Sequence, residues 1–155
     1  KFLKERFPIK RMRVSIHLVS SAVLAAILYP FVGLHSMWAI VGGFLIDVDH
    51  LFWTMGKFRW WSLLFAYEYH DDRHLTKYEK DILHIFHTAE FWALMILAGG
   101  ISYLLGWIFI FWMFSLTFVG MVLHLLLDFS SLIKRGMVDV RAISLIGWLK
   151  RREYL

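Results

Sequence analysis

The sequence predicts an all-α protein, an integral membrane four-helix bundle with interfacial segments on its cytoplasmic side. Three observations predict it. The chain is 59% apolar with a mean hydropathy of +0.60, above the roughly 45–50% apolar content of soluble domains. Four apolar runs approach the roughly 20 residues that a helix needs to cross the hydrocarbon. All 17 Lys and Arg residues fall outside those runs, and a bundle of four would gather them on one side.

The first run follows the basic stretch KFLKERFPIKRMR and occupies about 14–32, where Pro30 and Gly33 break it. The second covers about 35–53, and a polar segment follows at roughly 56–82. The third covers about 83–105, and Gly106 opens a turn into the fourth, about 107–130. No alternation of apolar and polar residues competes with helix over these lengths. With no repeat and no Pro- or Ser-rich linker, residues 1–155 read as a single membrane domain. A signal peptide would require a small-x-small cleavage site after the first run, and none is clear. Core helices of a soluble bundle would need a polar face that these runs lack.

Four crossings return the chain to the side where it began. The N-terminus, the 56–82 segment and the C-terminus then share one side, and the turns near 33 and 105 carry no Lys or Arg. The positive-inside rule makes the charged side cytoplasmic. The predicted location is a cell (inner or plasma) membrane, multi-pass, with both termini in the cytoplasm. KFRWW (57–61) and WLKRREY (148–154) mix aromatic and cationic residues as interfacial segments do. The basic surface therefore points to membrane lipids as partners and not to nucleic acid.

Ionisable residues inside the runs collect at one depth. His17 lies one turn into the first helix, and Asp47, Asp49 and His50 end the second. His84, His87 and Glu90 open the third, and His124 and Asp128 stand near the end of the fourth. The first and third helices start at the cytoplasmic face and the other two finish there, so topology brings all four groups together. His124 and Asp128 are four apart and share a helix face, while His84, His87 and Glu90 step by three. Asp49 points away from Asp47 if the second helix persists. An intramembrane carboxylate costs about 2.5–3.5 kcal/mol at the bilayer centre, less near the interface, so such residues mark a function or a partner. Each has a plainer explanation, a hydrogen bond to a neighbouring helix for His17 or solvation at a helix end for Asp49 and His50. His35, on the far side, reads as interfacial. Their convergence from four helices favours a metal site.

Imidazole and carboxylate ligands without thiolate, in a chain with no cysteine, suit zinc first and manganese or non-haem iron next. The candidate ligands are His17, Asp47, His50, His84, His87, His124 and Asp128, more than one tetrahedral ion needs. One or two divalent ions are therefore expected, with a carboxylate such as Asp128 bridging a pair. Surplus members would orient the ligating histidines.

These motifs resemble the YdjM-like family of membrane-bound metal-dependent hydrolases. The likeness rests on His17, the GGFLIDVDH of 42–50, HIFHTAE of 84–90 and GMVLHLLLD of 120–128, and spans about residues 14–130. More distantly it extends to the zinc-dependent phospholipase C and single-strand nuclease group. The resemblance implies a metal cradle at His17, Asp47, His87, His124 and Asp128. Ile46 stands where the family usually has proline, and the third motif lacks the family's His-Arg-Gly-x-Thr-His-Ser. A phosphate-binding role for that arginine does not carry over.

A hydrolase acting on an ester or phosphoester of a lipid or lipid-linked substrate at the cytoplasmic face follows as the expected function. Glu90, or failing it Asp49, would serve as general base or a further ligand, and Lys134 and Arg135 would meet an anionic headgroup. Two other classes stand beside it. One is a non-catalytic small membrane subunit whose metal or polar cluster fixes helix packing. An aromatic content of 18% offers surface for a homo-oligomer or a membrane-protein partner. The other is a b-type haem protein, which the crowd of carboxylates disfavours. A zincin-type protease lacks its His-Glu-x-x-His, and an ion conduit lacks polar residues in the far half.

Overall fold

The computed structural model describes residues 14–58, 62, 82–135 and 142–153. The basic stretch 1–13 and most of the 56–82 segment, with parts of both aromatic-cationic motifs, lie outside them. Every regular element among the described residues is helical, and the only extended feature is an isolated bridge at Ile82.

Helix α1 spans Val14–Val32, 19 residues, or about 28 Å at 1.5 Å per residue. Gly33 ends it in the left-handed region at φ 59°, a conformation that costs glycine nothing for want of a Cβ. A 3₁₀ turn, Gly33–Ser36, then leads into α2, Met37–Phe44. The second run is not one helix. A further 3₁₀ turn at Leu45–Asp47 separates α2 from α3, Val48–Phe58, within the GGFLIDVDH motif. Tightening the backbone there re-aims Asp47 and Asp49, which an unbroken helix would hold on opposite faces.

The third helix starts later than the sequence suggests. Residues 82–84 are irregular, Ile85–His87 is a 3₁₀ turn, and α4 covers Ala89–Leu104. Thr88 sits at the N-cap in extended conformation, and its hydroxyl accepts from Phe91 N at 3.4 Å. Threonine's preference for that position explains the delayed start. His84, His87 and Glu90 consequently do not stack on successive helical turns. Gly106, at φ 73°, turns the chain into α5, Ile108–Arg135, whose 28 residues reach about 42 Å. A final short helix, α6, spans Leu145–Glu153.

Small residues set the packing. A Cβ on Gly42 would strike the Thr117 main chain, one on Gly120 the Ala39 carbonyl, and one on Gly43 the Ser21 side chain. Helices α2 and α5 thus run side by side in the same direction with their backbones in contact, and α1 closes over the same seam. Trp92 against Phe118 and Tyr103 against Phe111 set α4 antiparallel to α5.

Polarity is distributed inside out. Among the described residues, buried polar ones, His17, Ser21, Asp49, His84, His87 and His124 included, outnumber buried apolar ones. Large apolar side chains face outward, with Phe31 81%, Leu104 84% and Leu126 65% exposed. Exposed apolar surface on this scale marks contact with lipid or with another protein. Two helical stretches, Ser15–Phe58 and Ile108–Lys134, are long and apolar enough to cross a membrane, and Ala89–Leu104 is a shorter apolar helix.

Candidate metal centre

The α2–α5 seam places one end of each helix against the other. Gly43 lies one turn before Asp47, and Gly120 one turn before His124. Where they meet, His124 Nδ1–H donates to the Gly43 carbonyl oxygen at 2.9 Å. The carbonyl can only accept, so the proton of a neutral ring belongs on Nδ1 and the Nε2 lone pair faces inward. There it meets Asp47 Oδ1 at 3.2 Å and Asp128 Oδ2 at 3.5 Å. His17, from α1, brings its Nε2 to 3.3 Å from Asp128 Oδ1 and stacks on His124 with ring centroids 4.0 Å apart.

His87 approaches from the segment before α4. Its Nδ1–H donates to Asp49 Oδ2 at 3.0 Å, and its Nε2 lies 3.9 Å from Asp47 Oδ1. Phe86 N–H donates to the same Asp49 oxygen at 3.0 Å, and Trp92 Nε1–H to the Phe86 carbonyl at 3.2 Å. Asp49 is 3% exposed and therefore fixed from several sides. A carboxylate bonded to one ring nitrogen, with the other nitrogen turned to a shared centre, is how metal-ligating histidines are oriented.

Asp47, His87, His124 and Asp128 each offer one ligand atom, all within 4.8 Å of one another, and could hold a metal ion. Asp49, His50 and His84 form a second such group. Their neighbour Asp47 lies 3.4 Å from His50 Nδ1, and the His50 ring stacks on His84 at 3.9 Å. Asp47 and Asp49 thus each touch histidines of both groups.

The donor set fits a cation. With both rings in the tautomers their outer partners select, inward lone pairs and carboxylate oxygens converge on one point. Like partial charges at that spacing repel unless positive charge lies among them. His124 Nε2 is buried and makes no hydrogen bond among the described residues, as is His17 Nδ1. Two carboxylates and neutral imidazoles together carry the charge that one divalent ion would neutralise.

One of the sequence-derived roles needs correcting. Glu90 is not among the converging residues: its carboxylate accepts from Ser144 Oγ at 2.6 Å, Leu145 N at 2.9 Å and Ile146 N at 3.1 Å. It caps the N-terminus of α6, where free N–H groups and the helix dipole attract an anion. It lies in the first turn of α4, behind the Thr88 cap, and not in a helix that begins near residue 83. Asp49, the other candidate for base or further ligand, stays with the cluster: it accepts from Phe86 N, contacts His87 and His50, and belongs to the second group. Lys134 is exposed at the end of α5, and the Arg135 side chain lies outside the described residues. His35 packs at the opposite end of the bundle, 5.6 Å from Phe109.

Residue-type reasoning missed the Gly43 carbonyl, because every residue has one. Glycines one turn before Asp47 and His124 were the available signal. It also missed a cavity of about 340 Å³ beside the cluster, whose polar lining is His87 and Asp128 and whose other walls are apolar.

Two outcomes follow. Asp49→Asn should preserve the fold, since its amide oxygen still accepts from Phe86 N, but weaken metal affinity about 10–100-fold. Titration against a competing chelator measures this, and unchanged affinity would remove Asp49 from the centre. Glu90→Ala should leave metal content intact while amide exchange at Leu145 and Ile146 quickens, on the order of fivefold. Loss of metal in that variant would return Glu90 to the site.

Comparison with models of protein families, with characterised proteins and with solved structures gave no significant match.

Proposed function

We propose that this chain is a membrane-embedded metal-dependent hydrolase whose centre opens at the cytoplasmic face of a multi-pass bundle. One observation carries the proposal. Two buried histidines, each anchored by its outer nitrogen, turn their inner nitrogens onto the partly buried Asp47 and Asp128, among largely apolar helices. Holding partly buried carboxylates between apolar helices is costly, and a cation offsets that cost.

His17, Asp47, His87, His124 and Asp128 would hold the ion, with zinc the first candidate and manganese or iron next. Asp49 orients His87, the Gly43 carbonyl orients His124, and Asp47 adjoins His50 where a second ion would sit. A divalent ion supplies Lewis acidity toward an ester or phosphoryl oxygen and eases deprotonation of water near neutral pH. His87 and Asp128 face the cavity and so meet the substrate. The placement of Lys and Arg supports a cytoplasmic opening, and the resemblance to the YdjM-like hydrolases supports the reaction class.

The same geometry favours one other reading. Protonated His124 would pair with both Asp47 and Asp128, making the cluster a polar clasp in a non-catalytic subunit. Elemental analysis of the detergent-purified protein separates the two. Zinc, manganese or iron in at least equimolar amount, with turnover of a lipid or phosphoester substrate abolished by chelation, supports the hydrolase. Metal-free protein that is folded and inert supports the clasp.

A further inference from the structure

The cavity beside the metal cluster has a chemistry of its own. Its volume, about 340 Å³, falls within the roughly 300–1,000 Å³ typical of small-molecule sites. Val122, Leu125, Phe129 and Leu132 of α5 form one wall, Trp92 of α4 another, and Ala142 and Ile143 a third. His87 and Asp128 are the polar residues among them, so the apolar space ends on two members of the cluster. A soluble phosphoester would find little to bond along such walls.

From this we infer that the cavity is the subsite for one acyl chain of an anionic phospholipid of the cytoplasmic leaflet, an inference that rests on the hydrolase reading. Three observations select this occupant. The apolar walls recognise hydrocarbon, which offers no polar atom in need of a partner. Leu126 and Phe129, on the same stretch of α5, are 65% and 50% exposed, so a chain can enter sideways from the lipid. Cations lie close along the sequence to two of the cavity's walls: exposed Lys134 two residues beyond Leu132, and exposed Lys150 and Arg151 on α6, which begins two residues after Ile143. Such an arrangement seats the chain while the basic residues attract the headgroup.

The third wall is held in place by the chain itself. Ala142 N–H donates to the Ile82 carbonyl and Ala89 N–H to the Ile143 carbonyl, both at 2.9 Å. Glu90 then fixes the start of α6. Its function in this arrangement is to position the cavity wall, which accounts for a carboxylate at that depth that the metal cluster does not use.

The test uses phosphatidylglycerol bearing a diazirine near the end of one acyl chain, mixed into phosphatidylcholine nanodiscs that hold the full chain. Irradiation and peptide mass spectrometry should place label on 122–132 at least fivefold above label on the outward face of α4, Leu94, Leu97 and Ile101. Leu125→Trp fills the cavity and should reduce that label to the α4 level. Val122→Phe serves as a second, milder filling, and retained metal content with an unchanged helical spectrum shows that each variant is folded. Equal labelling of cavity and α4, or labelling unmoved by folded filling variants, overturns the inference. So does a cross-link through this face to a second copy of the chain. Cavity labelling without hydrolysis of any phospholipid would overturn the hydrolase reading and leave the chain site standing. Hydrolysis of a water-soluble phosphoester without cavity labelling would do the reverse.

Discussion

Replacing His124 by alanine is expected to abolish stoichiometric metal binding, and with it the proposed hydrolysis. The ring is 1% exposed and stands between Asp47, Asp128 and the stacked His17, so its removal takes away the inward nitrogen at the centre of the cluster. Asp128→Ala should have the same effect, since His17 Nε2 and His124 Nε2 both lie within 3.5 Å of its carboxylate. Removing one member of a buried charged set leaves the others uncompensated, at a cost of about 3–5 kcal/mol where burial is deep. Loss of metal should therefore come with a lower unfolding temperature. His35→Ala, at the opposite end of the bundle, is the matched control and should keep both metal and stability. Elemental analysis beside thermal unfolding in detergent reads all three variants. Full metal content in His124→Ala and Asp128→Ala would remove the proposed centre.

Gly120→Val should be the most damaging single change that touches no candidate ligand. A side chain there meets the Ala39 carbonyl and Gly43 N, main-chain atoms that cannot rotate away. Overpacking of this kind costs about 1–3 kcal/mol and occasionally more. The upper end is expected, because relief requires α2 and α5 to separate. Separation would also break the His124 bond to the Gly43 carbonyl, so metal affinity should fall together with stability. Gly100→Ala provides the contrast: nothing lies within 4 Å of its added Cβ, and alanine is favoured over glycine in a helix by about 1 kcal/mol. Unfolding midpoints and metal content, measured side by side, separate a packing seam from a general intolerance of substitution. Equal behaviour of the two variants would remove the seam argument.

Much of the centre was legible one residue at a time. His17, Asp47, His87, His124 and Asp128 stand out because ionisable side chains in apolar runs need a reason, and the structure brings them together. The i, i+4 spacing of His124 and Asp128 survives folding because α5 is continuous through both. Spacing misled where the helix was interrupted. The steps of three from His84 to Glu90 presupposed a helix from about residue 83, whereas Thr88 caps it and Ala89 begins it. An ideal helix points Asp49 away from Asp47, and the 3₁₀ turn at Leu45–Asp47 lets it reach His87.

By itself, then, the sequence determined the helical class and which ionisable residues stand among apolar neighbours. Those properties depend on side-chain chemistry and on periodicity within single segments. Tertiary structure alone decided which carboxylate faces which histidine, that Asp47 and Asp49 each touch histidines of both groups, and that Glu90 caps α6. It also created the apolar cavity on the cluster. The physical reason is that these relations hang on main-chain contacts between distant segments, the Gly43 carbonyl on His124 and the Ile143 carbonyl on Ala89, and such donors and acceptors are the same in every residue until folding brings two of them together.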